Sequence, residues 1–291
     1  MRILSSTLIG LALGLALPDS AAAACRESRD ISRSYDTAAI NSLALIARAG
    51  SLEINGTERE GVRLQARFCS DEAAALGRME ITDAVTDGVL QIAVRVPWDA
   101  PGFNPDYAHI DLSLEVPRDL LLDIKDSSGD IRIEQARVAA LQDSSGDIRL
   151  IGGRGDLQIK DSSGDIEISG NSGQLTVTDS SGDLIYRDLG GDLTILSDSS
   201  GKISARGVRG SVTINNDSSG EIELLEVRDH VDIGNDSSGD IIISEVGGNV
   251  RIGSDGSGDI EASDVGGNFT VEQKSRGRID STRIAGEVSV P

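Results

Sequence analysis

Acidic side chains return along this chain at a nearly fixed interval. D-S-S-G begins at Asp126, Asp143, Asp161, Asp179, Asp198, Asp217 and Asp236, then recurs as D-G-S-G at Asp255 and as K-S-R-G at Lys274. The spacings are 17, 18 and 18 residues, then 19 five times running. Stacked carboxylates are calcium chemistry, so the row Asp161, Asp179, Asp198, Asp217 and Asp236 is the candidate metal site. Calcium β-rolls, however, carry G-G-x-G-x-D ligands at both corners of the coil. Here the second corner has no regular carboxylate, and Lys202 stands where Asp183 and Asp240 stand in other repeats. Turn chemistry accounts for the row more simply: Asp is favoured at the first position of a type I turn and Gly at the fourth, and the Asp carboxylate can accept a backbone N–H two residues on. The corner aspartates and serines are then expected on an outer Asp/Ser face, itself a candidate contact surface, with no cofactor and no resident metal, and with a calcium-stabilised binding module as an alternative.

A second place for chemistry is the stretch from Pro97 to His109. It holds Trp98, the only tryptophan, together with Phe103, Tyr107 and three of the six prolines. Aromatic rings on a proline-stiffened loop can stack on sugar rings or grip a protein partner, which makes Trp98, Phe103 and Tyr107 the candidate binding residues. The competing expectation is that Trp98 and Phe103 fold back onto an aliphatic core. Catalysis has less support. The two histidines, His109 and His230, form no constellation, and His230 shares its repeat position with Asp192, Ser211, Asn249 and Asn268, which reads as outward and solvated. An enzyme acting on polysaccharide through paired carboxylates is the other alternative. The coils from Asp198 to Gln273 nonetheless keep their repeat without a break, and no catalytic residue is assigned.

The elements that position these residues follow from the repeat. Counting the aspartate as position 1, position 6 is Ile131, Ile148, Ile166, Leu184, Ile203, Ile222, Ile241, Ile260 and Ile279. Positions 8, 15 and 17 are largely apolar too, as in Ile243, Val250 and Ile252. Apolar residues two apart give the period of a half-buried strand, so each repeat offers two short strands separated by Gly-rich turns. One coil cannot bury its own apolar face, and stacked coils can. The expected fold is all-β: a single-stranded, right-handed parallel β-helix or β-solenoid with coils of about 19 residues. Its regular part spans 126–291, preceded by an irregular β segment over 25–125 that covers the N-terminal end. Within that segment residues 43–49, 51–55, 62–68, 89–96 and 110–116 show the apolar alternation of strands, and Asp71 is placed to cap a short helix. Lys274, Arg276, Arg278 and Arg283 bring positive charge to the last coil, as edge protection or as an anion or partner contact.

Residues 1–24 read as a signal peptide: Arg2, the apolar run Leu8–Leu17, then small residues at Ala21–Ala24. The apolar run is too short for a transmembrane anchor, and no later stretch could span a bilayer. An exported pair, Cys25 and Cys69, reads as one disulfide, with lipidation of Cys25 as the rival. A net charge of −21 excludes attraction to nucleic acid or to anionic membrane. Expected partners are an envelope or surface ligand, glycan or protein, met in the periplasm, at the cell surface or outside the cell.

Leu114-Glu115-Val116-Pro117, Leu120-Leu121-Leu122-Asp123-Ile124 and the S-G-D-I repeats resemble the DUF4097 family of bacterial candidate adhesins. Ala49 to Gly56 is similar to that family's first coil. The resemblance runs from about residue 40 onward. It implies an exported, non-enzymatic cell-envelope β-solenoid with an adhesive, binding or scaffold role, and it supplies no catalytic residues.

Overall fold

The computed structural model describes residues 25–291, and the expected leader lies outside them. The chain is a β-solenoid of two 13-stranded sheets, each regular coil giving one strand to each sheet. Coils stack parallel and in register: Ile203 pairs with Ile222, Ile222 with Ile241 and Ile241 with Ile260. In the opposite sheet Ile214 pairs with Ile233 and Ile233 with Ile252. Because side chains alternate across a strand, this register lines like residues into columns, and the inward ones form a continuous aliphatic core between the sheets.

The corners need special backbone. At the first corner Gly220 has φ +141°, and a Cβ there would stand 1.7 Å from the carbonyl oxygen of Gly201 in the coil below. Only glycine allows both the angle and the approach. Beside it runs a hydroxyl ladder: Ser163 Oγ donates to the Ser144 carbonyl and Ser181 Oγ to the Ser162 carbonyl. The second corner places one left-handed residue in each coil, and it is glycine only in some of them. Asp188, Glu226, Glu245, Asp264 and Arg283 hold φ of 54° to 58° there.

The N-terminal segment is threaded out of sequence order. Its strands are β1 (Glu27–Tyr35), β2 (Ser42–Ile46), β3 (Leu52–Thr57), β4 (Val62–Ser70), β5 (Glu80–Thr86), β6 (Val89–Arg95) and β7 (Ala108–Pro117). The pair β2 and β3 makes a coil directly beneath β8 (Leu121–Lys125) and β9 (Ile131–Glu134), and β6 and β7 make the coil below that. Three antiparallel strands then cover the end: β4 on β7, β1 on β4, and β5 on β6. The Cys25–Cys69 disulfide, with Cα atoms 5.4 Å apart, ties the start of β1 to the end of β4. The short helix α1 (Ala73–Leu76) forms, but Asp71 does not cap it. Its N-cap residue is Glu72, without a side-chain bond, and the Asp71 carboxylate is used elsewhere.

Candidate functional site

Asp71 holds the aromatic loop. Its carboxylate accepts the backbone N–H groups of Asp106 at 3.1 Å and Tyr107 at 3.4 Å, and Ser70 Oγ donates to the Tyr107 carbonyl at 3.2 Å. Both residues lie at or just beyond the end of β4, so the cap's own strand anchors the loop. At the other end Phe103 is buried and joins the core, and Trp98 stands edge-on to it, ring centroids 5.4 Å apart at 86°. Arg78 closes the far side, its guanidinium 5.4 Å from the Phe103 centroid and its Nη1 donating to the Pro101 carbonyl. Trp98 is left half exposed, at 50%. The fold therefore divides the pair: Phe103 anchors and Trp98 is displayed. Tyr107 joins neither. Its hydroxyl accepts the Arg26 N–H at 2.9 Å, and its ring tilts against His109 near the disulfide.

Trp98 lines a groove of about 530 Å³ with Arg48, Glu80, Thr82, Arg95 and Asp99. Glu80 pairs with Arg95 at 3.4 Å across β5 and β6. The wall thus combines an indole face with charged and hydroxyl groups set by adjacent strands. Arg48, Glu80 and Arg95 carried no signal in the sequence, since only the threading of β2, β5 and β6 brings them beside Trp98.

The aspartate row departs from expectation. These carboxylates were expected on an outer Asp/Ser face, and the structure puts them inside. Asp126, Asp143 and Asp161 are 6% exposed, and Asp179, Asp198, Asp217, Asp236 and Asp255 only 1 to 2%. Strand alternation explains it: Leu157 and Ile159 point inward from the strand Leu157–Lys160, and Asp161, the residue that follows, keeps the alternation. In the longer coils an extra residue, such as Leu196 on the outside, shifts the register before the corner. The expected turn bonds exist in part. Asp143 and Asp161 accept the N–H of the next residue at 2.7 Å, while Asp198 and Asp236 accept the N–H two residues on at 3.3 and 3.2 Å. Oxygens remain without partners all along the row, including both of Asp126, Asp179 and Asp217. Burial, reinforced by neighbouring carboxylates, pushes Asp126 and Asp236 up to about 7, and Asp161 and Asp198 to about 6. The row ends at Lys274, whose buried ammonium pairs with Asp255.

The outward carboxylate ladder lies at the fifth repeat position. Asp130, Asp147 and Asp165 each accept the N–H of the equivalent residue one coil on, at 3.2, 3.0 and 2.8 Å. His230 sits in a similar ladder at the second corner: its Nδ1 accepts the Asn249 N–H at 2.9 Å. Of the terminal cations, Arg278 pairs with Asp259 and Arg283 with Asp264, each at 2.5 Å, so they are tied to the coil below.

No family model matches this chain, and no curated protein matches it. Among solved structures it is similar to a candidate cell adhesion protein from Clostridium sporogenes, at 8% identity over 91% of this chain and 99% of that one, with a TM-score of 0.35. A candidate adhesin from Parabacteroides distasonis is 14% identical over 90% and 97% of the two chains, with a TM-score of 0.30. A candidate lipid-binding protein from the same species is 16% identical over 91% and 96%, with a TM-score of 0.33. These superpositions are loose, and the functional reading rests on the chain's own residues.

Proposed function

We propose that this chain is an exported, non-enzymatic binding module of the bacterial cell envelope, and that the Trp98 groove holds carbohydrate. The observation that carries this reading is the half-exposed indole, fixed edge-on by a buried Phe103 beside Arg48, Glu80, Thr82, Arg95 and Asp99. A pyranose ring offers an apolar C–H face to an indole and hydroxyls to its rim, which charged and hydroxyl side chains can bracket. Preorganisation matters here, because a ring already immobilised loses little entropy on binding. The Cys25–Cys69 disulfide supports an oxidising compartment. The regular coils act as a spacer that holds the groove away from the far end.

With a single tryptophan, intrinsic fluorescence reports on this groove alone. Titration with envelope and capsular polysaccharide fragments is expected to shift or quench the emission, and Trp98→Ala is expected to remove binding without lowering the melting temperature. Release of reducing ends during the titration would replace this reading with the enzymatic one. Full affinity in Trp98→Ala would move the contact surface elsewhere.

A further inference from the structure

The repeat itself shows what happens when a cation takes a place in the aspartate row. In the last coil lysine stands where aspartate stands before it, and the side chain does not turn outward. The Lys274 side chain is only 5% exposed, its ammonium pairs with the Asp255 carboxylate, and it donates to the Gly258 carbonyl at 2.6 Å. A buried positive charge is thus held by the first and fourth residues of the corner below. Every earlier corner offers the same two groups, from Asp126 and Gly129 to Asp236 and Gly239. In those corners aspartate and not lysine stands in the next coil, and carboxylate oxygens lie buried without partners. The hydroxyl of Tyr186, fully buried and close enough to Asp179 and Asp198 to feel their charge, has no partner either. Lone carboxylates in such surroundings cost several kcal/mol unless something neutralises them.

We infer that the row from Asp126 to Asp236 is a file for small hard cations, calcium above all, closed at its C-terminal end by Lys274. The donors are carboxylate and carbonyl oxygens, which suit calcium and not a soft metal. Each rung brings one negative charge, and rungs are about 4.8 Å apart, so a divalent ion between two corners neutralises both. That sets the content at about three ions for the seven aspartates not held by Lys274. Magnesium keeps its waters and demands octahedral geometry, for which so closed a row has little room. A way in exists at the N-terminal end, where a groove of about 400 Å³ lies over Lys125, Asp126, Gln142, Asp143, Lys160 and Asp161. This inference stands apart from the carbohydrate reading, and either can fail alone.

The test uses the whole mature chain, stripped with chelator and then equilibrated with calcium, magnesium or sodium at about pH 8, where carboxylates compete least with protons. Metal analysis after gel filtration is expected to find about three calcium ions per chain, and the melting temperature to rise by about 5 °C or more with calcium but not with magnesium. The isosteric triple variant Asp179→Asn, Asp198→Asn, Asp217→Asn is expected to lose most of the bound calcium and of the thermal response. No co-eluting calcium and no shift in the wild-type chain would overturn the inference, leaving a row occupied by protons only. Undiminished calcium in the triple variant would overturn it too, by assigning the ions to exposed carboxylates. Should that variant not fold, Lys274→Met decides: freeing Asp255 is expected to deepen the dependence on calcium, and an unchanged thermal response would refute the file.

Discussion

An aspartate that leaves water for an aliphatic wall keeps its charge only with help. In this chain the help is at most one or two N–H groups, too few to hold the carboxylates of the buried row at their usual acidity. The folded state therefore binds protons more readily than the unfolded chain. The sign follows: stability is fully present below the unfolded aspartate value near 4 and is lost as pH rises through about 6 for Asp161 and Asp198 and about 7 for Asp126 and Asp236. In chelator, the melting temperature is expected to rise as pH falls from 8 towards 5, each of the larger shifts being worth on the order of 3 kcal/mol. A melting temperature that falls steadily over that range would contradict it. At the same corner, Gly220→Ala sets a Cβ against the Gly201 carbonyl and should cost about 3 kcal/mol or more, measured by urea unfolding. Gly102→Ala, at φ +68° with nothing within 4 Å, should cost only about 1 kcal/mol. The burial of the aspartates was legible in part. Alternation through Leu157 and Ile159 points Asp161 inward, but in the coils of 19 the extra residue breaks the parity, and the turn preference of Asp masked the rest. That Lys274 would follow the row inward could not be read, since a lone lysine is ordinarily a surface residue.

Strands make the columns, and a column is sensitive to any gap. Leu224 lies between Ala205 and Ile243 in register and is 1% exposed, so Leu224→Ala should cost about 2 to 5 kcal/mol by chemical denaturation. The cap behaves differently, because β1 touches only β4 in its sheet and is mostly exposed. Reducing Cys25–Cys69 removes a constraint across 44 residues, worth about 4 kcal/mol on loop entropy, and should release β1 to proteolysis while the regular coils stay intact. Cleavage spread evenly over the chain would show that the disulfide supports more than the cap. The strands β2, β3, β4, β6 and β7 were visible in apolar alternation. Strands β1 and β5 were not, because both are predominantly polar and exposed, held by pairing and not by burial. The Trp98 groove was visible only as a loop rich in rings: its charged wall comes from strands far apart in sequence.

As a whole, the molecule is nearly one-dimensional, each coil meeting only the coils above and below. Stability should then grow roughly with coil number, with the N-terminal cap as a fixed contribution. Removing residues 217–235 excises one full repeat and leaves every column in register, so the shortened chain is expected to fold with an unchanged β signal in circular dichroism and a modestly lower melting temperature. An aggregated product would show that the coils are not interchangeable.

Parallel stacking also makes the solenoid a mechanical object. A pull between its ends loads the coils one after another, and the coil farthest from the N-terminal cap is the first to go. Each peeled coil of 19 residues lengthens the chain by about 60 Å, so stretching should give a staircase of nearly equal steps, slightly shorter for the coils of 17 and 18. A tether built this way yields by fixed increments under load instead of failing at once, and it re-forms from its capped end when the load is gone.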